Sequence, residues 1–411
     1  MMPLQESEVQ ALVQEILKRL GNVSLEPPRS YSAGSGTGGA ASGGVLHSSV
    51  DSAVETAGRA QKVFQEMGLE TRRQIIDAIR KAGYDNAELL AKMAVQETGL
   101  GRWEHKVQKN ILVSLKTPGV EDLQPVKAYT GDKGLTLVEY SPFGVVASVT
   151  PSTNPAATII NNTISILSAG NAVVFAPYPA AKKTCQETMK ILDRAVQAAG
   201  GPAGLITTVE AASQETTVAL LRHPKANMTI VTGGPAIVRV AMTARVVRKT
   251  VCAGPGNPPV IVDETADMKE AARGIIDGSS FDNCVLCTGE KEVVVTDAAA
   301  ERLLQELRKD PLGYELTRAQ MDELAKLAFK FSEAGKEPAL NRDFVGKNAN
   351  IIARAIGLNL PDSVQLLWGE VPNDHAYVWV EQLMPVLPIT RVRDIDAAIA
   401  LAVEVEGHNH H

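Results

Sequence analysis

The sequence predicts an α/β protein with two doubly wound parallel sheets, preceded by a short helix on a flexible linker. Strand-like and helix-like segments alternate between residues 142 and 244, and the alternation resumes between residues 259 and 308. Such alternation implies parallel strands joined by short right-handed helical crossovers. A chain of 411 residues also exceeds one ordinary hydrophobic core, so it suggests two domains.

The composition is typical of a soluble globular protein and excludes several functional classes. Hydrophobic residues make up 45% of the chain and charged residues 21%, and the net charge is −6. This balance lacks the basic footprint of a nucleic-acid-binding protein, and no apolar run reaches the length of a membrane span. The first residues do not form a secretory signal. Four cysteines without framework spacing fit a reducing, intracellular compartment.

Residues 1–21 form a separate unit in which six apolar residues recur at helical spacing. This stripe consists of Val9, Leu12, Val13, Ile16, Leu17 and Leu20. Ser7 with Gln10 fits a capping box, and Gly21 lies just past the predicted helix end. Residues 22–44 are rich in Gly, Ser and Pro, which predicts a flexible linker. A helix of this kind either packs on its own domain or docks on another protein, and the long linker favours docking.

The globular body begins near Val45 with two long helical patterns, at residues 50–67 and 69–98. A hairpin is predicted next, in which residues 127–134 lead into a strand at 135–140. The first sheet follows. Its predicted strands are 144–149, 172–175, 205–209 and 228–231, and its predicted helices are 156–167, 181–199, 213–221 and 236–244. Parallel sheets of this kind bind ligands at the carboxyl ends of their strands, where Asn154 and Gly233-Gly234 fall.

The second half repeats the alternation less regularly. Its predicted strands are 259–262 and 292–296, its predicted helices are 268–277, 298–308 and 316–334, and residues 377–380 are strand-like. Residues 281–291 lie between a predicted helix and a predicted strand, and they contain Cys284 and Cys287. A thiol in such a turn can attack a carbonyl if polar donors lower its pKa. The alternatives are a buried, inert cysteine, or a C-x-x-C metal or redox pair. Zinc would need two further ligands that the sequence does not supply nearby.

Three other features carry little meaning singly. Thr232, Gly233 and Gly234 follow a strand and open a helix, where backbone N–H groups can hold a phosphate, but a plain tight turn explains them equally well. Asn154 can donate its amide N–H to an oxyanion, although an Asn before a helix is more often a cap. Glu381, just before Met384-Pro385, is by itself an ordinary surface carboxylate.

In this order and spacing, these features resemble the aldehyde dehydrogenase superfamily. They are most similar to its coenzyme-A-acylating branch associated with bacterial microcompartments. The resemblance runs from about Val45 to the end of the chain, and the leader helix resembles that branch's encapsulation peptides. The residues that carry it are Glu139-Tyr-Ser-Pro-Phe-Gly144, Thr150-Pro-Ser-Thr-Asn-Pro155, Gly170-Asn-Ala-Val-Val174, Thr232-Gly-Gly-Pro235, Gly254-Pro-Gly-Asn-Pro-Pro259, Phe281-Asp-Asn283 with Cys287, and Glu381 with Met384-Pro385.

The resemblance implies a role for each site residue. Cys287 is the nucleophile and Cys284 its neighbour, while Asn154 is the oxyanion donor together with the Cys287 backbone N–H. The implied cofactors are NAD and coenzyme A as co-substrate, with no metal. The implied cofactor-binding residues are Thr150, Pro151, Pro177, Thr232, Gly233, Gly234 and Glu381, of which the Gly-Gly turn contacts the pyrophosphate and Glu381 holds the nicotinamide ribose.

Two departures from the family's hydrolytic members bear on mechanism. Those members carry a water-activating Glu where this chain has Ala253, so an acyl-enzyme thioester is expected to persist until another thiol accepts the acyl group. They also carry a Lys where this chain has Ala176. That Lys normally contacts the adenosine ribose, so a weaker contact with this part of the cofactor is expected. The expected activity is oxidation of propanal or acetaldehyde to acyl-CoA. The alternatives are a hydrolytic aldehyde dehydrogenase and a non-catalytic, shell-associated relative.

The resemblance also implies a domain layout. Residues 45–252 form an NAD/CoA-binding domain with an oligomerisation strand region near 123–141, and residues 253–411 form a catalytic domain that is shorter than the family's. The terminal histidines at 408, 410 and 411 are interpreted as a truncated end rather than as metal ligands. The expected partners are a small aldehyde, shell proteins bound through residues 4–20, and further copies of the chain. The expected location is a microcompartment lumen in the bacterial cytoplasm, with no membrane or nucleic acid as partner.

Overall fold

The computed structural model describes residues 44–123, 127–244, 248–331 and 338–407. The predicted leader helix, the linker up to residue 43 and the terminal histidines lie outside the described residues. The first sheet has six strands, all parallel, in the order β1-β6-β5-β4-β7-β8. These strands are β1 (Leu46–His47), β4 (Val145–Thr150), β5 (Ala172–Pro177), β6 (Ile206–Val209), β7 (Met228–Thr232) and β8 (Lys249–Ala253).

Helices cover both faces of the first sheet, so its central strands carry continuous apolar runs. Every residue of β4 and β5 is buried, as expected for parallel strands with two covered faces. The helices are α1 (Val50–Gln65), α2 (Leu69–Asp85), α3 (Ala87–Thr98), α4 (Trp103–Lys116), α5 (Pro155–Ser168), α6 (Lys182–Ala198), α7 (Gln214–Arg222) and α8 (Pro235–Met242). The strand order reverses between β4 and β7, which places the ligand-binding switch point at their carboxyl ends.

The single helix predicted over residues 69–98 is wrong, because α2 and α3 are separated at Asn86. Its backbone leaves the helical region, with φ −104° and ψ 11°, and its Nδ2 donates to the Ala82 carbonyl at 2.9 Å. Asn side chains compete with helical backbone hydrogen bonds in this way. The predicted end of the second pattern holds, since α3 ends before Gly99, which has φ +67°.

A two-stranded antiparallel hairpin leaves the body at the predicted position. It consists of β2 (Lys127–Gly131) and β3 (Gly134–Val138), and all of its residues are exposed. Exposed large apolar side chains on it and just after it are Tyr129, Leu135, Leu137, Val138, Tyr140 and Phe143. An isolated hairpin is only marginally stable in water, so this one depends on what covers it.

The second sheet has five parallel strands in the order β11-β14-β15-β10-β9. They are β9 (Pro259–Val262), β10 (Glu292–Thr296), β11 (Gly313–Glu315), β14 (Leu366–Glu370) and β15 (Val386–Val392). The surrounding helices are α9 (Met268–Ser280), α10 (Asp297–Leu307), α11 (Arg318–Ala328), α12 (Ala349–Arg354), α13 (Ala376–Trp379) and α14 (Ile395–Gly407), and a small hairpin pairs β12 (Phe329–Lys330) with β13 (Ala339–Leu340).

The strand-like interpretation of residues 377–380 is wrong, since most of that stretch forms the short helix α13. His375 caps this helix, because its Nδ1 accepts from the Tyr377 N–H at 3.3 Å. The indole N–H of Trp379 then donates to the Asn373 carbonyl at 2.7 Å and fixes the turn. The predicted α/β fold with two parallel sheets is nevertheless confirmed. None of the described helices has the length and apolar content needed to cross a bilayer.

Candidate active site

Four strands of the first sheet end side by side and form the floor of the candidate site. In the sheet register Thr150 lies opposite Pro177, and Thr232 lies opposite Ala253. Thr150 is only 1% exposed, and its carbonyl accepts from the Tyr178 N–H at 3.1 Å. Pro151 follows it, half-buried. The predicted cofactor-binding residues of the first sheet therefore share one carboxyl edge, next to the switch point.

The turn after β7 leaves a helix N-terminus open. Gly234 is the N-cap of α8 and makes no side-chain cap, and a Cβ added to it would meet nothing within 4 Å. The Gly233 N–H donates to the Ala253 carbonyl at 3.1 Å, which holds the turn against β8. By contrast, the N-terminus of α6 is filled by Glu97, which accepts from the Lys183 and Thr184 N–H groups at 2.7 Å each. The Gly-Gly turn thus has the open backbone that a pyrophosphate requires.

The second sheet contributes site residues from the amino ends of its strands, whereas the first sheet contributes them from its carboxyl ends. The loop with Cys284 and Cys287 immediately precedes β10, and Glu381 precedes β15, so both lie at the amino ends of these strands. The carboxyl end of the same sheet has an open crevice of about 500 Å³. Its arginines are already paired, since Arg391 contacts both Glu370 and Glu301 at 2.6 Å.

The cysteine loop has an unusual backbone. Asp282, Asn283 and Cys284 have φ of 52°, 54° and 56°, so three successive residues with side chains adopt the left-handed region. Each such residue costs about 1–2 kcal/mol. A turn of this kind persists only where its surroundings over-determine it, and such turns cluster at functional sites.

Two buried lysines of α4 bind the Asp282 carboxylate of this turn. Lys106 Nζ donates to Asp282 Oδ2 at 2.9 Å, and Lys109 Nζ donates to the same oxygen. The Arg102 backbone N–H donates to Asp282 Oδ1 at 2.8 Å. Asp282 itself is fully buried. Because the carboxylate is paired and hydrogen-bonded on both oxygens, its burial is compensated.

His105 and Asn283 complete the support of the turn. His105 Nδ1 accepts from the Asp282 N–H at 2.7 Å, and its ring stacks on Phe281 at 4.8 Å between centroids. Burial lowers the pKa of His105, in keeping with a neutral ring that accepts at Nδ1. Asn283 accepts from Arg102 Nε at 3.1 Å and donates to the Gly346 carbonyl at 2.9 Å.

Glycine at position 101 is required by this cluster, which gives a testable prediction. Gly101 has φ +76°, and an added Cβ would overlap Asp282 Oδ1. We expect Gly101→Ala to lower the free energy of unfolding by roughly 2–4 kcal/mol and to reduce activity as well, because the carboxylate must shift. Thermal unfolding and steady-state rates measure the two effects.

Gly99→Ala is the matched control. Gly99 has a similar φ of +67°, but its Cβ would face only the flexible end of Lys347 at 3.1 Å. It should lose stability through backbone strain alone and keep its activity. If both variants lose activity equally, the Asp282 contact is not what matters.

The two cysteines of the loop have different surroundings. Cys284 is buried, and its Sγ accepts from Lys291 Nζ at 3.3 Å and donates to the Glu290 carbonyl at 3.5 Å. Cys287 lies half-buried in the turn before Gly289. Burial raises the pKa of both thiols, and the carboxylate of Glu381 adds to the effect at Cys287. The charges of Lys291 and Lys109 lower the Cys287 pKa in opposition.

The accessible thiol is therefore Cys287, while Cys284 is a packing residue. No group of His, Cys, Asp or Glu within the described ranges could hold a metal ion. The described part of the chain thus offers no support for the C-x-x-C metal interpretation.

Asn154 does not cap the helix that it precedes. It occupies the N-cap position of α5, yet its side chain makes no cap hydrogen bond. Instead, its Oδ1 accepts from Lys109 Nζ at 2.5 Å, and its Nδ2 donates to Thr153 Oγ1 at 3.2 Å. The amide is thus available for a role other than capping, which was the plainer interpretation of the sequence.

Glu381 is engaged with the loop after β8. Its Oε1 accepts from the Gly256 N–H at 3.3 Å, and its charge acts on Cys287. The structure therefore brings Glu381, Cys287 and, through the Lys109 charge, Asn154 into one neighbourhood between the two sheets. The Gly-Gly turn and Pro177 lie on the facing edge of the first sheet.

Sequence analysis missed Lys106 and Lys109, and it named Asp282 only as part of a motif, without a role. The available signal was in α4, whose buried face is polar and consists of Lys106, Lys109, Asn110 and Ser114, whereas Leu112 and Leu115 are exposed. A helix that buries its polar stripe has polar partners to satisfy, because unpaired buried lysines are very costly.

Glu292 gives a prediction on pH dependence. Its carboxyl is buried at the start of β10, and Asn257 Nδ2 donates to its Oε1 at 3.3 Å. Burial, followed by the charge of Glu406, raises its pKa from 4.5 to about 9. Between these values the folded chain keeps a proton that the unfolded chain has released, so the free energy of unfolding falls as pH rises.

We expect Glu292→Gln to remove this fall, since glutamine carries no charge. Its melting temperature should exceed that of the parent chain by several degrees near pH 9, with little difference near pH 5. Glu290→Gln, two positions earlier in the sequence, serves as the control. An equal gain at both pH values would contradict the raised pKa.

Comparison with known proteins agrees with this architecture. The model of the aldehyde dehydrogenase family matches residues 43–320. The acetaldehyde dehydrogenase (acetylating) EutE of Salmonella typhimurium is 47% identical over 366 residues, which cover 89% of this chain and 77% of that protein. The propanal dehydrogenase (CoA-propanoylating) of Citrobacter freundii is 39% identical over 406 residues, covering 98% of this chain and 83% of that protein.

Solved structures give the same result. A propionaldehyde dehydrogenase of Rhodopseudomonas palustris, with bound CoA and an acylated cysteine, superposes with a TM-score of 0.84 at 42% identity, covering 90% of this chain and 83% of that one. A propionaldehyde dehydrogenase from the fucose utilisation microcompartment of Clostridium phytofermentans gives 0.83 at 40% identity, with 88% and 81% covered. The family model and the relatives together establish that the chain belongs to the aldehyde dehydrogenase family.

Proposed function

We propose that the chain oxidises a short-chain aldehyde, propanal or acetaldehyde, with NAD⁺ and coenzyme A to acyl-CoA and NADH. Ala253 carries this proposal. It ends β8 at the site edge, where hydrolytic members of the family carry the Glu that activates water. The similar acetylating and propanoylating enzymes, and the similar structure with CoA and an acylated cysteine, support it. Without that Glu, an acyl group on Cys287 is expected to persist as a thioester until another thiol accepts it.

The chain's own residues supply the covalent chemistry. Cys287 gives its proton to solvent, and its sulfur forms a bond to the aldehyde carbon while the carbonyl electrons move to oxygen. Asn154 Nδ2 and the Cys287 backbone N–H donate to this oxyanion. When the carbonyl re-forms, a hydride leaves the carbon and a thioester remains on Cys287. The bound dinucleotide supplies hydride acceptance, and bound coenzyme A supplies the second thiol.

The same edge supplies the binding groups. The open N-terminus of α8 at Thr232, Gly233 and Gly234 suits the pyrophosphate, and Glu381 suits the nicotinamide ribose. Pro177 and the Thr150-Pro151 segment form the neighbouring surface.

A coupled assay tests the proposal. The protein is mixed with propanal or acetaldehyde, NAD⁺ and coenzyme A, and NADH absorbance is followed across a short aldehyde series. NADH formation that requires coenzyme A, with acyl-CoA as product, is the expected result. Absence of CoA-dependent turnover would sink the proposal.

One observation favours a second candidate, a hydrolytic aldehyde dehydrogenase. The Glu381 carboxylate lies near enough to Cys287 for its charge to raise the pKa of that thiol, and a carboxylate in this position can accept the proton of an attacking water. Free acid formed without coenzyme A, and lost in Glu381→Gln, would support hydrolysis. A non-catalytic, shell-associated protein is the third possibility. It predicts that iodoacetamide labels Cys287 no faster than Cys252 or Cys185 at neutral pH.

We further propose that the chain works as a homo-oligomer inside a bacterial microcompartment. The exposed apolar residues of the β2–β3 hairpin suit burial against another copy. The apolar stripe of residues 4–20 suits shell proteins. Sedimentation of the double variant Leu135→Lys/Leu137→Lys tests the homo-oligomer, and a monodisperse assembly unchanged in size would contradict the role of the hairpin.

Deleting residues 1–21 should leave catalysis intact and abolish co-purification with shells, whereas loss of folding would show that the helix packs on its own domain.

A further inference from the structure

We propose that Lys109 is a positioning residue for acylation, which holds the Asn154 carboxamide so that its NH₂ rather than its oxygen serves the reacting carbonyl. The inference rests on the proposed function, since it assigns how the oxyanion donor of that reaction is oriented. Lys109 Nζ lies 2.5 Å from Asn154 Oδ1. Both residues sit at the edge where α4, α5 and the cysteine loop meet.

The chemistry of the two groups makes the contact directional. An amide presents an acceptor at one end and two donors at the other, and a 180° turn about its terminal bond exchanges them. An ammonium has donors only, so it can face the oxygen but not the NH₂. With Oδ1 held by Lys109, Nδ2 donates one N–H to Thr153 Oγ1, and its second N–H remains for the reacting carbonyl. In the turned state, Oδ1 would instead face a developing oxyanion and repel it.

Lys109 is itself held in place from the other side. Its ammonium pairs with Asp282, which also binds Lys106 and the Arg102 N–H. Asp282 belongs to the left-handed turn that leads to Cys287. A series of contacts therefore runs from the nucleophile loop through Asp282 and Lys109 to Asn154. It connects a loop of the second sheet with a helix and a loop that pack on the first sheet.

Lys109 also acts on the nucleophile directly. Its charge lowers the Cys287 pKa, against the larger effect of burial. Burial, followed by the charge of Lys106, lowers the pKa of Lys109 itself to about 8. At neutral pH most Lys109 side chains are therefore still ammonium groups, and these donate an N–H to Asn154 Oδ1.

Lys106 offers a matched comparison within the same cluster. It is equally buried and shares Asp282 Oδ2, but its remaining contact is the Thr153 carbonyl at 2.9 Å rather than the Asn154 side chain. Loss of either lysine removes one ammonium from the carboxylate. Only loss of Lys109 frees the Asn154 amide to turn.

A double-mutant cycle on the full chain tests the inference. Single-turnover acylation is measured for the parent chain, Lys109→Met, Asn154→Ala and the double variant. Lys109→Met should slow acylation about tenfold to a hundredfold, with little change in aldehyde KM. In the Asn154→Ala background, once each rate is corrected for the Cys287 thiolate fraction read from that variant's alkylation profile, the same change should cost less than about twofold, because the amide it orients is gone. Independent, multiplying losses would overturn the proposal.

Lys106→Met, measured in the same cycle, is the control. The factor by which it slows acylation should multiply with the factor for Asn154→Ala. If Lys109→Met does not fold, Lys109→Gln replaces it. Glutamine is polar enough for the buried site, but its amide offers an acceptor as well as a donor, so it cannot fix the orientation of the Asn154 amide and must show the same non-additivity. A second readout needs no turnover: the pH dependence of Cys287 alkylation by iodoacetamide should shift to higher pH in Lys109→Met. An unshifted profile counts against the charge effect. An inactive parent chain would refute the proposed function, whereas an active parent with a multiplying cycle refutes only this inference.

Discussion

Replacing Cys287 with alanine is expected to abolish aldehyde-dependent NADH formation, with a loss of at least about 10⁴-fold. In the proposed mechanism its sulfur is the atom that bonds to the substrate carbon, so a chain without this sulfur cannot form the thioester. Cys284 cannot take over, because it is buried at 2% exposure and its sulfur is hydrogen-bonded to Lys291. The measurement is NADH absorbance with propanal, NAD⁺ and coenzyme A.

A trapping experiment makes the same point chemically. The parent chain is incubated with aldehyde and NAD⁺ without coenzyme A, digested and weighed by mass spectrometry. An added acyl mass is expected on the peptide with residue 287, and its removal is expected when coenzyme A is added. Cys284→Ala is the control, since it should lose some stability through the buried cavity and still acquire the acyl mass at Cys287. Acyl mass on Cys284 or Cys252 instead would contradict the assignment.

Replacing Asn154 with alanine is expected to slow acylation by about 10²–10³-fold, the usual loss for one oxyanion donor. The aldehyde KM should change little, because the donor acts mainly on the charge that develops in the transition state. Its free energy of unfolding should fall by about 1–3 kcal/mol, because the buried Lys109 ammonium loses one hydrogen-bond acceptor. Rapid-quench measurement of the acylation step and thermal unfolding separate these effects.

Asn154→Asp sharpens this prediction. Aspartate keeps the shape and can still accept from Lys109, but it has no N–H to donate, so it should be as slow as alanine while keeping or gaining stability. Asn161→Ala, on the same helix, is the control that should keep its rate. If Asn154→Asp retains nearly full activity, Asn154 is not the donor.

Residue patterns alone were sufficient for much of the fold. Alternating apolar strands and helices predicted the first sheet, because β4 and β5 are buried on both faces and therefore appear as continuous apolar runs. The hairpin at β2 and β3 was also visible in the sequence. The break at Asn86 and the short helix α13 were not, because each depends on a local side-chain hydrogen bond that competes with the backbone pattern.

The family and the acylating chemistry were also accessible from the sequence, through Cys287, Ala253 and the spacing of the surrounding motifs. Local patterns could identify which residue types stand at strand ends, since strand ends follow from periodicity. They could not decide whether Asn154 caps a helix or faces a substrate, because both roles require the same residue at the same position. The structure excludes the helix cap, because Asn154 makes no cap hydrogen bond and its Oδ1 accepts from Lys109 Nζ instead.

The sequence by itself determined most of the order of strands and helices, and its family resemblance predicted Cys287 as the nucleophile and Ala253 in place of the water-activating Glu. Only the tertiary structure revealed the buried cluster of Lys106, Lys109 and Asp282, in which Asp282 lies 176 and 173 positions from the two lysines along the chain. The physical reason is that a buried charge is stable only beside its counter-charge, and no local pattern records which distant residue supplies it.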